Sequence, residues 1–244
     1  MRIAFYTAIY GEYDVLKQPL NRSINVNYDC FIFTDKEITI EGFETMVLTK
    51  YKQKNNSIKA RYAKLKAHNY LKDYDYLVWF DASMQIDLNE IVTLIHRNKE
   101  IDLFLFKHPT RTCIYKEITA CYFAFKEKPI KLFIQNIYYR LAGFKTEQGL
   151  YATGVFIRKY KPKVNNFFCQ WFRHVYFLSK RDQISLTFVL RKQKLNLLVL
   201  NEDIYDSPLA TFYGHSKAIY NTNKGVFRRA YSKVKIVLKK MKTR

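Results

Sequence analysis

Two short stretches carry side chains able to handle a charged leaving group: Trp79-Phe80-Asp81-Ala82-Ser83 and Arg181-Asp182-Gln183. In the first, an apolar run ends in a carboxylate, then a small residue, then a hydroxyl. A carboxylate at the end of a strand faces a binding crevice and can hold a hard divalent cation. Magnesium or manganese would bind it beside diphosphate oxygens and water. Ala82 lets the backbone approach a ligand closely. The same pattern also suits an Asp that ends a strand and caps the next helix.

Arg61 and Lys64 stand three apart on one helical face, ahead of the strand leading to Asp81. Their charges can neutralise a nucleotide diphosphate, or form a solvated basic face. His68 follows one turn later and can cap or pack. In His108-Pro109-Thr110-Arg111 the proline fixes an exit turn and Arg111 can reach an anionic group. Gly149-Leu150-Tyr151-Ala152-Thr153-Gly154 precedes a strand as a close-approach, sugar-binding edge or a plain loop. Asp182 opens an amphipathic helix, where it can bind sugar hydroxyls, act as a general base or cap the helix. His215, in a polar loop, can complete a metal shell as neutral imidazole.

These residues need a scaffold, and the pattern supplies one. Strands are expected at Ile3–Tyr10, Tyr28–Thr34, Tyr76–Phe80, Asp102–Lys107, Val155–Arg158 and Leu197–Leu200. Helices are expected over Asn56–Leu71, capped by Asn56 or Ser57, and over Lys131–Leu141, Asn166–Ser179 and Gln183–Leu195. The alternation predicts an α/β fold with a mainly parallel central sheet flanked by helices, its ligands bound beyond the carboxyl ends of the strands. One domain is expected over 1–223, followed by a basic segment, 224–244.

The 244 residues are 48% hydrophobic, enough for one sizeable core. The formal charge is +21, a field that draws nucleic acids, anionic lipid surfaces or diphosphates. Cys30, Cys113, Cys121 and Cys169 are scattered and suit reduced thiols of a cytosol rather than a zinc knuckle. Arg2-Ile3-Ala4-Phe5-Tyr6 is too short and aromatic for a signal segment, and no apolar run reaches membrane-spanning length. No Gly-x-Gly-x-x-Gly or Walker loop occurs. From 224 to 244 there are nine Lys or Arg and no acid, with Val226, Phe227, Ala230, Tyr231, Val234, Val237, Leu238 and Met241 at helical spacing. That pattern fits a basic helix lying on an anionic membrane, or a solvated tail.

In order along the chain, Ile3–Asp14, Cys30–Asp35, Arg61-x-x-Lys64-x-x-x-His68, Trp79–Ser83, His108-Pro109-x-Arg111-x-Cys113 through Glu117, Gly149–Arg158 and Trp171 through Gln183 form a series of matches. Through them the chain resembles the glycosyltransferase-like family of plant mucilage and cell-wall glycosyltransferase candidates, also found in bacterial polysaccharide gene sets. The resemblance implies a GT-A-like domain that moves sugar from a nucleotide-sugar donor to a glycan or lipid-linked acceptor in polysaccharide biosynthesis, using Mn2+ or Mg2+. It implies work at the cytoplasmic face of a membrane, with no nucleic-acid partner. By the same likeness, Asp81 takes the first position of a metal-binding Asp-x-Asp element. Ser83 stands where many such enzymes have the second Asp, so His215 or water would complete the shell. Thr7, Ala8, Tyr10 and Asp35 fall with the nucleotide-binding strand ends. Arg61, Lys64, Ala82 and Gln183 fall beside the donor, and Arg111 and Asp182 in catalytic positions. Two rival readings are a nucleic-acid-binding protein and a metal-dependent lipid amide hydrolase of ceramidase type. The latter normally needs a tight His/Asp cluster, whereas the five histidines here are dispersed.

Overall fold

The computed structural model describes residues 1–11, 14–21, 27–48 and 51–214. His215 and the segment 224–244 lie outside these described residues.

The centre is a seven-stranded sheet. The apolar run Ile3–Ile9 forms β1, which pairs in parallel with β2 (Tyr28–Thr34) on one side and β4 (Tyr76–Phe80) on the other. Beyond β2 lies the short parallel β3 (Glu44–Val47). A small two-stranded sheet pairs β5 (Met84–Ile86) with β9 (Ala210–Phe212). On the far side of β4, β7 (Tyr151–Lys159) runs antiparallel to β4 and to β6 (Leu103–Lys107), and β8 (Leu197–Leu200) closes the edge parallel to β6. The order is β3-β2-β1-β4-β7-β6-β8. All five residues of β4 are buried, as in a strand covered on both faces.

One face carries α1 (Asn56–Lys66), α3 (Ile114–Phe123), α4 (Pro129–Leu141), α5 (Pro162–Phe177) and α6 (Asp182–Leu190) over a core that includes Tyr6, Trp79, Phe156 and Trp171. The other face carries α2 (Leu88–Arg97) over Phe5, Val78, Phe104 and Ile157. Helix α2 has a complete sequence signature: Asp87 caps the Glu90 amide, and Leu88, Ile91, Val92 and Ile95 face inward.

Several boundaries differ from expectation. Asn55, not Asn56 or Ser57, caps α1 by accepting from the Ile58 amide at 3.2 Å. Strand β7 starts at Tyr151, so Ala152 to Gly154 are strand rather than approach loop. Helix α6 is not amphipathic. Asp182 and all residues from Ile184 to Leu190 are buried, because the helix packs against α3, α5 and β7 at once. Gly11, at φ 64°, turns the chain out of β1, and a Cβ there would strike the Asn56 side chain.

The polar core beneath the sheet is unusual. Arg158 is fully buried, touching the His68 imidazole at 3.2 Å and lying over the Phe168 ring at 4.1 Å. Burial and the neighbouring Arg158 and Lys66 charges push His68 down to about 3. A base whose folded value is depressed keeps its contribution to stability above its unfolded value, about 6.5, and loses it as pH falls below. Unfolding of the wild type should therefore become easier from about pH 6.5 downward, and His68→Gln should flatten that slope. A slope unchanged by the substitution would assign the acid sensitivity elsewhere.

Candidate active site

Strands β1 to β4 point the same way, so their carboxyl ends share one edge of the sheet. At the ends of β1, β2 and β3 lies a pocket of about 570 Å³. Its walls include Tyr10, Thr34, Asp35, Tyr51, Lys52 and Lys59. The Lys59 ammonium sits 5.8 Å from the Tyr10 ring centre. Asp35 accepts the Gly11 amide at 3.5 Å, the limit of a hydrogen bond. Aromatic walls with several ammonium groups suit a flat, anionic ligand.

Asp81 follows β4 directly, one strand over. Extending the β1–β4 register by two residues beyond Tyr6↔Trp79 brings Ala8 level with Asp81. The Asp81 amide donates to the Gly154 carbonyl at 2.7 Å, which locks its backbone to β7. Its Oδ1 accepts the Trp79 indole N–H at 2.9 Å and faces the Lys64 ammonium at 3.4 Å. The side chain is 40% exposed, and a Cβ added at Gly154 would stand 3.7 Å from Oδ2. A glycine at that position thus leaves room beside Oδ2.

Behind Asp81 lies a buried charge cluster. The Lys64 side chain is 1% exposed, with its ammonium 2.7 Å from Asp182 Oδ2. It also lies 5.1 Å from the Trp79 ring centre. Arg61 reaches Asp182 Oδ1 at 3.5 Å and the Lys180 carbonyl at 3.3 Å, keeping 22% of its side chain exposed. Burial alone would raise the Asp182 carboxyl, but Arg61, Lys64 and Arg181 outweigh it and hold the group well below the usual range.

A second anchored cation follows β6. The His108 ring accepts the Thr110 and Arg111 amides, which shapes the turn. Arg111 pairs through Nε with the buried Glu117 carboxylate on α3 and touches His108 at 3.2 Å. Tyr205, 46% exposed, packs its ring on Phe212, and its phenol is raised by burial, with Arg111 pulling the other way and the Asp203, Glu117 and Asp81 charges adding to it.

The structure therefore brings Ala8, Tyr10, Asp35, Arg61, Asp81 and Arg111 to one end of the sheet. It corrects other expectations. Lys64 is enclosed between two carboxylates rather than open to a diphosphate. Asp182 is buried and ion-paired, so it lacks the access and basicity of a general base. Thr7 is fully buried, on the opposite face of β1 from Tyr10. Ser83 is 2% exposed and its carbonyl accepts the Tyr213 amide, a poor placement for a cleft ligand. Ala82 is buried, and Gln183 is half-buried at the start of α6. Lys52, Lys54, Tyr51 and Tyr205 had no sequence signal beyond residue type, since loops carry no periodicity, and Lys59 was one more basic residue on the expected helix.

A divalent cation would find the half-exposed Asp81 carboxylate here. Among the described residues no three His, Cys, Asp or Glu side chains gather into a metal site. The arrangement fits an ion held by one protein carboxylate and completed by substrate oxygens and water, a habit of magnesium.

A family model described as "TOD1/MUCI70, glycosyltransferase-like domain" matches residues 1–207. No curated protein matches the chain. Among solved structures, the chain is similar in fold to the WbbM bifunctional glycosyltransferase in its apo form. That likeness has 11% identity and a TM-score of 0.51, covering 81% of this chain and 38% of the other.

Removing one partner from a buried ion pair leaves an uncompensated charge, at a cost of about 3–5 kcal/mol. Lys64→Met should therefore lower Tm by about 10 °C. A depressed carboxyl contributes fully above its unfolded value, about 4, and loses that contribution as pH falls toward its folded value. Asp182→Asn should accordingly be destabilised at pH 7, with the gap to wild type narrowing below about pH 4. A pH-independent gap in thermal melts would show that the charge on Asp182 is not what matters.

Proposed function

The chain belongs to the TOD1/MUCI70 glycosyltransferase-like family, and on that premise we propose that it transfers sugar from a nucleotide-diphosphate donor in a GT-A-like manner. The observation that carries this reading is the half-exposed Asp81 carboxylate beside a pocket walled by Tyr10, Tyr51 and three lysines, Lys52, Lys54 and Lys59. The pocket takes the nucleoside against the partly exposed Tyr51 ring, with the nearly buried Tyr10 beneath it. The lysines face the diphosphate, a part expected of Arg61 and Lys64.

Transfer breaks the bond between the anomeric carbon and a diphosphate oxygen and forms a bond to an acceptor hydroxyl oxygen, whose proton passes to the departing diphosphate or to water. The leaving diphosphate gains negative charge as that bond stretches, so preorganised cations lower the barrier. Lys52, Lys54, Lys59 and the exposed part of Arg61 supply this stabilisation. A divalent cation on Asp81 would add Lewis-acid stabilisation of the same oxygens. Arg111, held by Glu117 and His108, lies toward the other side of the cleft. There, with Tyr205, it orients the sugar or acceptor. Asp182 is a positioning residue, because it holds Lys64, which in turn holds Asp81. The acceptor is proposed to be a glycan or lipid-linked chain of a surface polysaccharide, reached from the cytoplasmic side. The dispersed histidines and the lack, among the described residues, of a three-ligand cluster speak against the lipid amide hydrolase reading.

Thermal shift against uridine, guanosine, cytidine and adenosine diphosphates, with and without manganese, tests this directly. At least one nucleotide should raise Tm by several degrees, by about 3 kcal/mol of linkage at a hundred times Kd. Asp81→Ala should lose the manganese-dependent part only, and Lys59→Ala should weaken binding in both conditions. No shift with any diphosphate would count decisively against the proposal.

A further inference from the structure

Helix α4 is amphipathic in an inverted sense. Its inner face buries Leu132, Gln135 and Tyr139, and the Tyr139 ring stacks on Phe188 at 3.8 Å. Its outer face presents Ile130, Phe133, Ile134, Ile137, Tyr138 and Leu141, at intervals of three and four residues. These six side chains are 41–83% exposed. An apolar groove of about 520 Å³ runs between this helix and α3, walled by Ile118, Tyr122 and Phe133. Phe177 of α5, 74% exposed, extends the patch, since His174 one turn earlier touches Tyr138. Scattered apolar side chains are ordinary on a surface, but a continuous apolar stripe on one helix is not.

The charges around the stripe narrow its occupant. Between Lys126 and Lys145 there are five Lys or Arg (Lys126, Lys128, Lys131, Arg140 and Lys145) and one acid, Glu127. Glu127 is committed to the Lys180 and Lys128 amides. A second copy of a chain carrying +21 would bring like charge against this rim. The basic segment 224–244, with nine Lys or Arg and no acid, would do the same. An anionic lipid surface offers both what the stripe and what the rim require: acyl chains for the apolar face, and phosphates for lysines that reach outward.

We propose that the outer face of α4, with the adjoining edge of α3, is a membrane-docking surface for anionic bilayers. It acts independently of the segment 224–244 and of the transferase reading. Helix α3 begins just after the turn that holds Arg111, so docking here puts that side of the cleft near the lipid surface.

The test is flotation of the full chain with vesicles of phosphatidylcholine alone or mixed with phosphatidylglycerol. Wild type should float with the mixed vesicles and not with phosphatidylcholine alone. Phe133→Ser/Leu141→Ser and, separately, Lys128→Glu/Lys131→Glu should each lower partitioning at least about ten-fold. Both pairs lie at the surface and should leave Tm unchanged. Hydrogen exchange on the wild-type chain gives a reading that needs no variant: mixed vesicles should protect the 129–141 region. Any of four results would overturn the proposal. These are no flotation, equal flotation with both compositions, unchanged flotation of the Ser pair without protection of 129–141, or a dimer in light scattering that the Ser pair dissolves.

Discussion

An ammonium group enclosed in protein must find carboxylates or lose its charge, and Lys64 finds two. Its contact with Asp182 is short and almost wholly screened from water; its contact with Asp81 is longer and opens to the cleft. Desolvating such a charge costs several kcal/mol, which only close opposite charge and good packing can offset. The cluster therefore constrains three elements at once. Helix α1 must place Lys64 inward, α6 must start at Asp182, and β4 must end at Asp81. The Trp79 indole, hydrogen-bonded to Asp81 and facing Lys64, completes the enclosure.

The consequence for the cleft is a carboxylate with one oxygen restrained by Trp79 and Lys64 and 40% of its side chain exposed. Arg61, Lys64 and Arg181 balance Asp182, and Lys64 alone half-engages Asp81, so the edge of the sheet stays cationic around an exposed acid. Together with the lysines near Tyr10, that balance suits a ligand whose phosphates carry more charge than one ion can neutralise. Rigid strands set the positions, while the adaptable residues sit on the loops after β1, β2 and β3.

Much of this architecture is visible in the residues themselves. Tyr28–Thr34, Tyr76–Phe80 and Leu197–Leu200 match their strands without adjustment, because apolar runs bounded by polar residues leave little freedom of register. Asp81 stands out because a carboxylate directly ends one of those runs. The role of Lys64 was not legible. Spacing shows that it shares a face with Arg61 but not whether that face meets solvent or another element, and here it meets α6. The same gap misjudged α6 itself, whose polar first turn hides that every side is packed. The outward apolar stripe of α4 is periodic in the sequence too, yet periodicity alone does not say which face the core takes.

We propose that the Lys64–Asp182 pair holds Asp81 in place and does not simply stabilise the fold. A double-mutant cycle with Lys64→Met and Asp182→Leu separates these roles, with stability and donor-sugar turnover measured on the same four proteins. The double variant should recover about 2 kcal/mol relative to the summed single losses, since neither Lys64 nor Asp182 is left buried without the other. Turnover should stay down about a hundred-fold, since Asp81 has lost its restraint. Stability losses that simply add, or a double variant that regains full turnover, would show that the pair does not hold Asp81.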